Sequence, residues 1–153
     1  SRSPIRDPVD LPAGSHVLPL ATPFVMQFGP LLARHEGNTL VIGLRIQPHH
    51  LNLHGKAHGG MLLTLADTAL GINLSQSHNP PLPMVTANLS SEFLAPARLG
   101  EWLEAHVEIL RVGSRLGFAD CRLKVGNRLV MRASGTFAVV RGVPATATVP
   151  SDG

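Results

Sequence analysis

A chain of 153 residues, 44% of them apolar, is the size of one domain and long enough to bury a real core. Its formal net charge is only +3, so the isoelectric point near 10 reflects eleven Arg against two Lys, with no Tyr and one Cys left to titrate, rather than a strong positive field. The Arg residues stand singly, beside one Trp and no Tyr for base stacking, which argues against a nucleic-acid interface. No apolar stretch reaches the length of a membrane span, and the first residues lack the apolar run of a signal peptide. With Cys121 alone, no intrachain disulfide is available, and the expected location is the cytoplasm.

Residues 1–22 carry Pro4, Pro8, Pro12 and Pro19 and read as an extended or loosely packed N-terminal arm. Pro23 to Phe28 fits a short helical turn, and Leu31 to His35 and Thr39 to Ile46 read as two strands joined at Glu36-Gly37-Asn38. Pro48-His49-His50 ends the second strand. A Gly-rich turn, Asn52 to Gly60, then leads into a helix running to about Ser75, which Asn79-Pro80-Pro81 closes. Four strand-like segments follow: Met84 to Phe93, Glu101 to Val112, Leu116 to Val125 and Leu129 to Val140. In the second, Trp102, Glu104, His106 and Glu108 alternate with Leu103, Ala105, Val107 and Ile109, so one face is buried and one is wet. Residues 142–153 read as a flexible tail. The expectation is one α+β domain, residues 23–141, with an antiparallel sheet of about six strands wrapped around one long central helix.

The helix holds the chemistry. Its first backbone N–H groups have no partner within the helix and point into the Gly-rich turn, which makes an anion site. Asp67 follows two turns later among Leu62, Leu63, Leu65, Ala66, Ala69, Leu70 and Ile72, where a carboxylate needs a reason. The apolar residues cover more than one stripe. A sheet satisfies only one of them, so the second asks for a partner, most simply the same helix of another subunit.

Asn52, His58-Gly59-Gly60, Leu65-Ala66-Asp67 and the stretch Asn88 to Glu101 resemble, in order and spacing over residues 30 to 140, the hotdog-fold acyl-CoA thioesterases, and within them the phenylacetate-pathway (PaaI-like) group. That resemblance implies a dimer with a continuous sheet, paired again into a tetramer, that hydrolyses an acyl thioester of coenzyme A without metal or cofactor. By position, Gly59 resembles the residue whose N–H binds the thioester oxygen, and Asp67 the catalytic carboxylate. Asn52 and His58 resemble the polar pair beside the thioester or the water. Thr86 falls where relatives place a Ser or Thr near the carboxylate of the same subunit. Asn88 and Ser90 stand where many members carry an acid or Asn, which leaves the acyl group open, a small aromatic or medium-chain one being the expectation.

The chemistry can also be weighed without the resemblance. A thioester oxygen that becomes negative under attack is stabilised by an N–H at a helix start, and Asp67 suits a general base or a nucleophile. Gly59 and Asp67 lie eight residues apart on one helix, about 12 Å at 1.5 Å per residue, whereas groups acting on one carbonyl must approach it within about 3–4 Å. Two such helices packed antiparallel across a two-fold axis resolve the conflict. Gly60 would border the substrate, and Lys56, Arg98, Arg115 and Arg128, placed in loops and turns, are the candidates for the coenzyme A phosphates. Plainer readings remain: Asp67 would bond only Thr64 or Thr68, and Gly59, Gly60, His58 and Asn52 would do no more than shape the turn. His54 and His58 have the i, i+4 spacing of metal ligands, but Pro48 and Gly55 make the segment a turn and no acid stands nearby, so no metal is expected. Competing functions are hydration or dehydration of an acyl thioester through His58 and an acid, and non-catalytic acyl-CoA binding.

Overall fold

In the computed structural model the described residues are 11–19 and 22–141. The first ten residues of the arm, residues 20–21 and the tail 142–153 expected from sequence lie outside them. Alternation builds the sheet. In β5 (Trp102–Val112) Leu103, Ala105 and Val107 are buried, and in β6 (Leu116–Val125) Ala119, Cys121 and Leu123 are, while their neighbours face outward. With β2 (Leu32–Glu36), β3 (Thr39–Arg45), β4 (Met84–Phe93) and β7 (Arg128–Val139), they form one antiparallel sheet.

Among the described residues the sheet has seven strands, where about six are expected from sequence. The seventh is β1 (His16–Val17), which pairs with β2 inside the stretch read as a loose arm, and Leu18 beside it is 5% exposed. Two residues are too few to show a period. The strand order is β1-β2-β3-β5-β6-β7-β4, so β1 and β4 are the edges.

One long helix, α2 (Gly59–Gln76), lies in the concave face and touches β3, β4, β5, β6 and β7. Met61, Leu62, Leu65, Ala66, Ala69, Leu70 and Leu74 are buried there, the larger ones at about 2 kcal/mol each. On its other side Leu63, Thr64, Asp67, Thr68, Gly71 and Ile72 are only half-buried, so the second apolar stripe read from sequence has no complete cover within one chain. The outer face of the sheet is polar: Glu104 accepts from His106, Arg34 and Trp102, which holds its carboxyl down at about 2.

Asn73 does work that the pattern does not announce. It is buried on the sheet side of α2, where its Oδ1 accepts from the Leu40 amide at 2.8 Å and its Nδ2 donates to the Leu40 carbonyl at 3.0 Å and the Ala69 carbonyl at 2.9 Å. The β3–β5 pairing begins only at Ile42, so Asn73 stands in for the missing strand at Leu40. Asn73→Leu would strand two buried backbone groups at about 1–3 kcal/mol each. The expected result is a stability loss of about 3 kcal/mol, read as a lower urea midpoint with an unchanged slope; an unmoved midpoint contradicts this role.

Candidate active site

The turn before α2 is built by its own hydrogen bonds. Pro48–His50 forms a single 3-10 turn in which His50 Nδ1 accepts from the Gln47 amide at 2.9 Å, its Nε2 donates to the Phe28 carbonyl at 2.8 Å, and its carbonyl accepts from the His58 amide at 2.8 Å. The buried imidazole thus ties the segment after α1 (Pro23–Met26) to the exit of β3, and the His50 carbonyl ties both to the start of α2. From sequence, His50 reads as part of the stop that ends the second strand. The signal that could have found it is the Gln47-Pro48-x-His50 spacing of a capping box.

Asn52 closes the next turn. Its Oδ1 accepts from the His54 and Lys56 amides at 2.9 and 3.1 Å, inside a loop where Gly55 takes φ +74, a conformation that favours Gly. This is the plainer of its two readings; its backbone amide donates to the Lys56 carbonyl at 2.7 Å, and its side-chain Nδ2 has no partner among the described residues. His58 is the N-cap of α2: it is extended, and its Nδ1 accepts from the Gly60 amide at 2.8 Å. The neutral ring then carries its proton on Nε2 and offers a donor rather than a base. Gly60 gives its amide to His58, so it borders the cleft without an N–H to spare. The Gly59 amide has no hydrogen-bond partner among the described residues, at the positive end of an 18-residue helix. A side chain at Gly59 would meet the ring of Phe93 at 3.4 Å, ordinary contact.

Eight residues on, Asp67 opens onto a cleft of about 310 Å³ between α1, α2 and β4, bordered by Phe24, Val25, Gly60, Thr64 and Leu89. The Thr86 hydroxyl donates to Asp67 Oδ1 at 2.6 Å, a short, charge-assisted bond that fixes the carboxylate and leaves Oδ2 without a partner among the described residues. Thr86 and Leu89 both border this cleft, which plain alternation forbids. The register of β4 on β7 slips between Thr86 and Asn88, so Ala87 is an extra residue that turns Thr86 back toward the helix. Ser90 lies 3.5 Å from Asn88 Oδ1, and both are exposed on this edge strand.

The expected phosphate ligands divide between the two ends of α2. Lys56 and Arg98 pair backbone to backbone just before the helix starts. Arg128, offered above as a ligand, is instead half-buried and ion-paired to Glu101 at 2.5 Å; Glu101 also accepts from the Arg98 amide. Burial opposes the charge on Glu101, yet these two bonds outweigh it and hold its carboxyl below the ordinary value. Arg115 sits at the β5–β6 turn, two residues before Gly117, which packs by Leu74 near the other end of α2. Cys121 is core, its thiol pushed up to about 12 by burial and by Asp120. Among the described residues no group of three His, Cys, Asp or Glu side chains is placed to hold a metal ion, and no helix is long and apolar enough to cross a membrane.

Residues 54–132 match the model of the family described as Thioesterase superfamily. The chain belongs to that superfamily. PA0474 of Pseudomonas aeruginosa, by its name a candidate esterase, is 43% identical over 130 residues, which cover 84% of this chain and 97% of that one. A mutant of the phenylacetic acid degradation protein PaaI of Thermus thermophilus superposes with a TM-score of 0.69 at 26% identity, over 78% of this chain and all of the other. A hypothetical thioesterase of Streptococcus pneumoniae solved with coenzyme A gives 0.68 at 25% identity, over 74% and 90%. This thioesterase is thus a hotdog protein of the PaaI-like group and a thioester hydrolase.

The buried imidazole makes this thioesterase sensitive to acid. Burial pushes the His50 pKa below its ordinary value of 6.5, while the unfolded chain takes up the proton at that value. Stability is therefore full above about 6.5 and falls as the pH drops below it. Urea midpoints measured from about pH 7 to pH 5 should decline, and His50→Gln should lower the neutral midpoint and flatten the slope. An equal slope in the variant would contradict the assignment.

Proposed function

We propose that this enzyme hydrolyses the thioester of a small aromatic or medium-chain acyl-CoA, working as a homodimer in which each site takes its carboxylate from one subunit and its oxyanion donor from the other. The observation that carries the reading is Asp67, held through one oxygen by Thr86 and opening with the other onto the cleft, on a helix whose first amide, Gly59, is unpartnered. Coenzyme A in the pneumococcal relative and the PaaI neighbours support the substrate class. Cytoplasm is the proposed compartment, and no cofactor takes part.

The dimer follows from β4. Among the described residues it is an edge strand bonded only to β7, ten residues long and largely exposed, with Val85 at 52% and Phe93 at 55%. An open edge of that length invites pairing. Two copies joined antiparallel along β4 would continue the sheet, set the two α2 helices antiparallel over their half-buried sides, and bring Gly59 of each toward Asp67 of the other. Dimers pair again into a tetramer, as the resemblance implies. In the antiparallel arrangement Arg115 of one subunit lies toward the Lys56 and Arg98 of its twin, so cations from both would meet the coenzyme A phosphates.

In the reaction the Gly59 N–H receives the charge that develops on the carbonyl oxygen, and Asp67 Oδ2 either takes a proton from the attacking water or attacks the carbonyl itself to give an anhydride that water opens. The C–S bond breaks and the thiol leaves with a proton. The His58 ring is a donor at the mouth of the turn, which disfavours the hydratase reading, since that reaction needs it as a base.

A thiol-release assay over aromatic and straight-chain acyl-CoAs tests the reading. Asp67→Asn should lower kcat on the order of 100-fold or more. Gly59→Pro deletes the N–H while keeping the helix start, since Pro is well tolerated at the first helical position, His58 is already extended and the added Cβ meets Phe93 in ordinary contact; it should cost about 100- to 1,000-fold in kcat. Thr86→Val should cost about tenfold and Thr86→Ser little. Unchanged turnover in Asp67→Asn would remove Asp67 from the mechanism.

A further inference from the structure

The cleft beside Asp67 does not end at α1. A void of about 10 Å³ lies behind it, between α1 and α2 among Phe28, Leu44, Met61 and Leu65, and shares Val25, Thr64 and Thr68 with the cleft. A second open groove, about 320 Å³, runs on the far side of α1 beneath Val17 and Met26 and shares Val25 and Leu31 with that void. Val25 alone borders all three spaces. We infer that the acyl chain of the substrate is straight and runs from the thioester beneath α1 into the outer groove, and that Val25 is the gate that sets its length. This rests on the acyl-CoA hydrolase reading above.

The fold supplies what a gate needs. α1 is four residues long, none of them buried, and its N-cap Thr22 makes no side-chain capping hydrogen bond. The segment is anchored just past its C-terminal end, where the Phe28 carbonyl accepts from His50. It can lift about that anchor without breaking the core. The void is at the lower limit for one water and lined almost wholly by apolar side chains, and of these Val25 sits on the short helix, so a shift of α1 widens it. Thr64, on its wall, already spends its hydroxyl on the Gly60 carbonyl at 2.8 Å, so a passing alkyl chain strands no donor there. Each methylene drawn off water into the path is worth up to about fourfold in kcat/KM, the equivalent of about 0.8 kcal/mol.

The test is kcat/KM for butanoyl-, octanoyl-, dodecanoyl- and phenylacetyl-CoA with the full-length protein and with Val25→Ala and Val25→Trp, both sited on a helix with no buried residue. The wild type should gain from butanoyl to octanoyl. The ratio of dodecanoyl to butanoyl turnover should fall about tenfold or more in Val25→Trp and rise in Val25→Ala, about the size of two methylenes gained or lost. A chain-length profile that both variants scale without reshaping, or a preference for phenylacetyl-CoA that neither moves, would overturn the gate while leaving the hydrolase reading intact. No turnover of any acyl-CoA by the wild type would overturn both.

Discussion

A helix that carries an unpartnered amide at its first residue and a carboxylate eight residues later cannot bring both to one carbonyl. That separation, about 12 Å along α2, is the constraint on which the account depends. Each group is well made for its task within one chain. The Gly59 amide stands where the helix dipole favours negative charge, and Asp67 is fixed by the Thr86 hydroxyl. What one chain lacks is the means of bringing them together, and in the proposed dimer symmetry would supply it at no cost in new sequence.

The same requirement explains features that look like defects in a single chain. A long, exposed edge strand is a liability in a soluble domain, and the opposite edge of this sheet is blunted by a strand of only two residues. β4 has no such protection. The helix likewise packs one side deeply and leaves Leu63, Thr64, Asp67, Thr68 and Ile72 half-covered. A half-covered apolar stripe beside an open sheet edge is the surface that the proposed dimer would bury.

Much of this could be read from the residues. The bounds of β4 and β6 agree with the alternation, and α2 runs from the Gly-rich turn nearly to Asn79-Pro80, because breakers and periods are local signals. What escaped was non-local or too short to carry a period. β1 has two residues. The extra residue Ala87 shows only in the register of β4 on β7, yet it aims Thr86 at Asp67. Asn73 reads as one more polar position in a helix until its bonds to Leu40, 33 residues away, are seen. Arg128 reads as a free surface charge until Glu101, 27 residues distant, is found beside it. In each case the deciding partner lies far along the chain, where spacing carries no information.

The central claim, that each site is shared between two chains, is tested most directly by mixing two dead enzymes. Asp67→Asn and Gly59→Pro subunits are co-refolded and assayed together. In a mixed dimer one site carries both lesions and the other carries an intact amide and an intact acid, so random pairing should restore about one quarter of wild-type turnover. If the mixture stays as inactive as its parents while mixed dimers are present, the two groups do not meet across subunits.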